Sequence, residues 1–167
     1  MEGDMRIRPA GEADLPAMLR VYEAARSFMV EQGNPHQWAE RGWPPASVIS
    51  KDIEVGKSYV CEEDGRVVAC FYYDFGEAIE PTYNEIDGAW IATGPYGVVH
   101  RIASDGSVRG AGATCLRWAL DQSKHLRIDT HEDNRPMRNL LGKLGFTECG
   151  IITLEDGDPR IAFEKVV

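Results

Sequence analysis

The chain has 167 residues, 43% of them hydrophobic and 27% charged, with a formal net charge of −9. That length fits a single domain, residues 1–167, with a sizeable core, and the composition is that of an ordinary soluble globular chain. The acidic balance argues against a nucleic-acid partner, no apolar run approaches membrane-spanning length, and the acidic start Met1-Glu2-Gly3-Asp4 is no signal peptide.

Met5 to Pro9 reads as a short strand. Asp14 is placed to cap a helix with Pro16 in its first turn, and Leu15, Met18, Leu19, Tyr22 and Met29 share one face of it up to about Gly33. Asn34 to Pro45 is a proline-rich loop with Trp38, Trp43 and His36. It serves either as a cover over the core or as one wall of an acceptor pocket. Ala46 to Val55 reads as a second helix, and Ser58 to Glu62 with Arg66 to Phe75 as a hairpin turning at Asp64-Gly65. Strand alternation sets Phe71 and Tyr73 on one face and Tyr72 on the other. Thr82 to Ile91 is open between a further strand and a covering loop.

The middle of the chain carries the most information. Val98 to Ser104 is apolar and largely β-branched around His100 and Arg101, so it reads as a strand. Asp105-Gly106-Ser107 is a turn, Arg109 to Thr114 a small, glycine-rich loop, and Cys115 to Leu120 a helix. A glycine loop between strand and helix lets backbone N–H groups converge on one small volume, where the helix N-terminus adds positive potential, which makes it an anion site. Its order fits neither the dinucleotide fingerprint nor the nucleoside-triphosphate loop. His125 to Thr130 is the next strand. Asn134 then caps a helix whose Met137, Leu140, Leu141 and Leu144 form an apolar face ended by Gly145. Phe146 to Leu154 and Ile161 to Val166 read as two closing strands. The four cysteines form no C-x-x-C pair and the four histidines are scattered, so no metal is expected, and a reducing, cytoplasmic setting fits.

Arg109, Gly112 and Thr114 stand where motif A of the GNAT superfamily of acetyl-CoA-dependent N-acetyltransferases has Gln or Arg, then Gly, then Gly or Ala; Thr114 departs from that pattern. N-R-P-M-R-N-L-L-G-K-L-G-F similarly resembles the superfamily's Asn-led helix ending in Leu-Gly-Phe, and the order β-α-α-β-β-β-α-β-α-β-β resembles its fold. The resemblance implies an α/β (α+β) fold with a mixed, mostly antiparallel sheet, helices on both faces, and central parallel strands that splay apart. It implies acetyl transfer from acetyl-CoA to the amine of a small-molecule or peptide acceptor by direct attack, with no metal, and a homodimer as the assembly to expect. In that frame Ile102, Ala103 and Ser104 pair with the pantetheine arm, Arg109, Gly110, Ala111, Gly112, Ala113 and Thr114 hold the pyrophosphate, and Asn134 reaches the cofactor or simply caps its helix.

His100 is the first candidate for base or proton relay, because an unperturbed imidazole titrates near neutrality and some members of the superfamily carry a histidine at this strand position. A hydrogen-bonded core histidine is the competing reading. His131 is the second candidate, and Trp38, Tyr72 and Tyr73 are the candidate acceptor contacts. Many members place a tyrosine acid seven residues after the asparagine; that position here is Leu141, so no residue of this helix is expected to protonate the leaving thiolate. Two other classes stay open: a catalytically inactive acyl-CoA-binding module, and an unrelated α/β phosphate binder.

Overall fold

A computed structural model of the chain describes residues 4–167. Its strands are β1 (Met5–Pro9), β2 (Ser58–Glu63), β3 (Arg66–Gly76), β4 (Asp87–Gly88), β5 (Tyr96–Ser104), β6 (His125–Thr130), β7 (Thr147–Thr153) and β8 (Pro159–Val166). The helices are α1 (Leu15–Glu31), α2 (Ala46–Glu54), α3 (Ala111–Ser123) and α4 (Arg135–Lys143). The strands form one sheet in the order β1-β2-β3-β5-β6-β8-β7-β4. β5 and β6 run parallel, and the other pairings among the described residues are antiparallel.

Period-two alternation divides the apolar residues between two faces. Val60, Cys70 and Ala103 meet Met18, Tyr22, Ile49 and Ile53 of α1 and α2 on one face. Phe71, Tyr73, Val99, Ile128 and Phe163 meet Cys115, Leu116, Ala119 and Leu141 of α3 and α4 on the other. The stretch left open by the sequence resolves as both alternatives in part. Pro81–Tyr83 is a single 3-10 turn, and the two residues of β4 pair with the edge of β7. Tyr83 and Trp90 from this stretch close a third cluster over Tyr96, Val98 and Ile152. Fully buried Glu164 pins it down, accepting from the Ile91 N–H at 2.5 Å and from Arg127 Nε at 2.8 Å.

Several boundaries differ from the sequence expectation. α3 begins at Ala111, so Ala111 to Thr114 are its first turn and not a loop. Glycine and alanine at these positions leave room for the turn to form, and Gly110 supplies the left-handed backbone, φ 84°, that starts it. Asp14 stands at the start of α1 without capping it. Its carboxylate accepts instead from the Gly11 N–H at 2.8 Å and is held by Arg8. α1 stops at Glu31, where Gly33 (φ 82°) turns the chain and the Asn34 N–H returns to the Met29 carbonyl at 2.8 Å.

Candidate active site

β5 and β6 pair only at Gly97 with Leu126 and Val98 with Arg127. Beyond these two positions the strands have no ladder between them, and Val99 to Ile102 face Ile128 to Thr130 across an open cleft of about 760 Å³. A bulge in the β3–β5 pairing lies beside the cleft. Tyr72 stands opposite His100 and Cys70 opposite Ala103, so Arg101 and Ile102 share one partner position on β3. Arg101 takes up the extra residue with φ 51°, an uncommon backbone state for a side chain of its size. Three contacts hold it there. Its guanidinium donates to both oxygens of Asp52 at 3.0 Å, it lies 4.8 Å from the Tyr72 ring centre, and its carbonyl accepts from the Tyr22 hydroxyl at 2.7 Å.

His100 projects into the cleft immediately before this bulge. Its Nε2 stands 3.4 Å from Glu80 Oε2, an ion-pair separation, with the Tyr72 and Tyr83 rings 5.6 and 6.4 Å away. Burial would push the Glu80 carboxyl up, but His100, the Thr82 hydroxyl and the charge of Arg101 together hold it below its ordinary value. Asp52 moves the other way: burial raises its carboxyl despite the Arg101 pair. Burial also raises the Tyr72 hydroxyl, with the charge of Asp74 adding to it. Two contacts span the cleft above these groups. Arg41 of the Asn34–Pro45 loop pairs with Asp156 and Asp158 of the β7–β8 turn, and Gln37 accepts from the Asn134 amide at 3.2 Å.

The chain leaving β5 makes the second part of the site. Asp105 accepts from the Ser107 N–H at 2.9 Å and its hydroxyl at 2.6 Å, which tightens the turn. The first intrahelical bond of α3 runs from the Thr114 N–H to the Gly110 carbonyl, and no side chain caps the helix. The amides of its first turn are therefore available to an anion. Inside the cleft, Thr130 Oγ1 is buried with no hydrogen-bond partner among the described residues. An elongated ligand with an anionic end and a polar arm fits this combination: donors at the α3 terminus, open strand edges on β5 and β6, and an orphaned hydroxyl between them. Acetyl-CoA has that shape and chemistry.

The residues singled out from the sequence divide as follows. His100, Ile102, Trp38, Tyr72 and Asn134 all line the cleft. Trp38 is at once a wall and a core residue, 5.8 Å from the Tyr22 ring. Asn134 caps α4 by accepting from the Met137 N–H at 3.3 Å. Ala103 packs toward α1, and Ser104 pairs with Ala69. Arg109 to Thr114 lie outside the cleft, at the start of α3. Tyr73 does not reach the cleft: it points to the opposite face and packs edge-on to Trp118 of α3 at 5.3 Å, as strand alternation requires. His131 is not a cleft residue either. Its Nδ1 accepts from the Asp133 N–H at 3.0 Å, its ring lies 6.4 Å from His36, and burial followed by the charge of Arg160 lowers its pKa. Glu80, Asp52, Asp129 and Arg160 also line the cleft without having been marked by any motif. Charged residues in loops and strand ends are usually solvated, and only the fold brings these four together.

Among the described residues no group of three or more His, Cys, Asp or Glu side chains is arranged to hold a metal ion, and no helix is long and apolar enough to cross a membrane. The model of the acetyltransferase (GNAT) family matches residues 18–146. A GNAT-family acetyltransferase from Streptococcus agalactiae is 31% identical, with a TM-score of 0.87 over 98% of this chain and 95% of that one. An acetyltransferase structure from Staphylococcus aureus superposes with a TM-score of 0.69 at 22% identity, covering 96% of this chain and 97% of that one. The ribosomal-protein-S18-alanine N-acetyltransferase of Escherichia coli superposes with a TM-score of 0.63 at 16% identity, covering 97% and 93%, a likeness of fold. No curated protein matches the chain. A matched span covering most of the chain, together with the splayed parallel pair and the uncapped helix beyond it, places this protein in the GNAT family of acetyltransferases.

Proposed function

We propose that the protein transfers an acetyl group from acetyl-CoA to an amine bound in the cleft, with His100 taking the amine's proton. The observation that carries this reading is the position of His100, beside Glu80 and at the point where β5 and β6 part.

Acetyl-CoA, when bound, supplies the activated acetyl group as a thioester. The residues that would hold it are the first-turn amides of Ala111 to Ala113, the open edges of β5 and β6, Thr130 Oγ1 and Asn134. The chain's own contribution is orientation and proton management. A proton taken by His100 would lie beside the Glu80 carboxylate, whose Oε2 stands 3.4 Å from Nε2. Trp38, Tyr72 and Arg101 shape the wall against which the amine rests. The amine nitrogen bonds to the acetyl carbon, the carbon–sulfur bond breaks, and the displaced proton passes to His100. Tyr72, opposite His100 on β3, is the candidate to donate its own hydroxyl proton to the departing sulfur and to regain one from solvent.

The test is release of CoA thiol from acetyl-CoA in the presence of a mixed panel of amines. Amine-dependent release that is lost in His100→Ala supports the reading. Acetyl-CoA binding with no release for any amine would leave the acyl-CoA-binding module as the better description.

A further inference from the structure

The cleft holds five cationic side chains among the described residues: Arg41, Lys51, Lys57, Arg101 and Arg160. Four of them have a carboxylate within ion-pair distance. Arg41 has Asp156 and Asp158, Lys51 has Glu54, Lys57 has Asp74, and Arg101 has Asp52. Arg160 has none. It is 5% exposed, and the one hydrogen bond of its side chain to the described residues runs from Nη1 to the carbonyl of its own neighbour Pro159, at 2.9 Å. Burial accordingly pushes its pKa down, while the more distant charges of Asp129, Asp158 and Asp156 act against that.

Resting on the acetyl-transfer reading above, we propose that the acceptor is a small amine that also carries a carboxylate, and that Arg160 binds this carboxylate while the amine faces His100. The planar guanidinium fork matches a carboxylate in two parallel hydrogen bonds. Asp129 stands opposite Ala162 on the neighbouring strand, so it projects from the same sheet face as Arg160 two positions away. Asp129, with Glu80 beside His100, puts negative charge where the ammonium of such a zwitterion would lie. The same carboxylates disfavour a phosphate dianion at Arg160, because its second charge would have no counter-charge. An α-amino acid carries both an amine and a carboxylate.

The experiment compares each common α-amino acid with its own α-carboxamide as acceptor for the wild-type enzyme, with simple monoamines alongside. The acid should be preferred over the amide by roughly 10- to 100-fold in kcat/KM, the range expected for charge-assisted hydrogen bonds. Arg160→Gln should erase that preference through KM while retaining turnover of the carboxamides, and Arg160→Lys should restore part of it. Amides or monoamines used as well as the acids would overturn the proposal, as would a preference that survives Arg160→Gln. If Arg160→Gln does not fold, the wild-type preference decides. If no amine is acetylated at all, the acetyl-transfer reading fails separately, and calorimetry with the same paired probes decides the site. Binding selective for the acid upholds Arg160 as an anion site; equal binding, or none, removes it.

Discussion

Nε2 of His100 and Oε2 of Glu80 stand 3.4 Å apart, one on the central strand β5 and the other on the segment that covers the sheet beneath the cleft. The pair sets a ring nitrogen beside a carboxylate in the lining of the open cleft. His100→Ala should therefore lower turnover by about 10²–10⁴-fold, the usual contribution of a positioned base. Its affinity for acetyl-CoA, measured by calorimetry, should stay near wild type. Turnover within a few-fold of wild type across neutral pH would return His100 to the sheet as a packing residue.

The linkage of Glu80 has a definite sign. Its carboxyl is held below the ordinary value of 4.5 in the folded chain, so the unfolded chain takes up the proton first as the pH falls. The stability it contributes is present above that value and is lost as the pH drops through the folded one. Denaturant midpoints of wild type and Glu80→Gln should accordingly shift in favour of the variant on going from neutral pH to about pH 3.5, below the ordinary carboxylate range. A difference constant with pH would mean that His100 does not stabilise the Glu80 charge.

At the start of α3, Gly112 has helical backbone and does not need glycine's freedom. A Cβ there would meet Leu140 Cδ2 at 3.5 Å, an ordinary contact. An aspartate in a first helical turn favours the helix itself through its dipole. Gly112→Asp should therefore fold, yet its charge would occupy the amides an anion needs. Acetyl-CoA should raise the melting temperature of wild type and leave that of Gly112→Asp unchanged. An equal shift in both proteins would move the pyrophosphate site away from α3.

Leu141 is fully buried between α4 and the sheet, where the family's helix acid would stand. Leu141→Ala should cost about 2–5 kcal/mol of stability, as for other fully buried leucines, measured by denaturant unfolding. The proton for the departing sulfur is then expected from Tyr72. Because burial raises the Tyr72 hydroxyl above 10.0, the pH–rate profile should fall only above that pH, and Tyr72→Phe should lower turnover and abolish the falling limb. A profile that stays flat at high pH and is unchanged in Tyr72→Phe would mean that the thiolate leaves without a proton from the protein.

Local chemistry in the sequence was enough to place the four helices and every strand of the described residues except the two-residue β4, which lies in the stretch it left open. The Asp64-Gly65 hairpin, the Asn134 cap and the run from Val98 through the glycines depend on residues within a few positions of one another, and period-two alternation already separated Tyr72 from Tyr73. Tertiary structure decided which charges share the cleft. Asp52 lies on α2, Glu80 on the covering segment, Asp129 on β6 and Arg160 on β8, and no spacing in the sequence relates them. It also decided that His131 lies beside His36 outside the cleft lining, that Ala111 to Thr114 begin a helix, and that Arg160 is buried without a carboxylate partner. The physical reason is range. Caps, turns and alternation act between near neighbours in the chain, whereas burial and charge pairing act through space, and depend on which strands the sheet sets side by side and which it lets part.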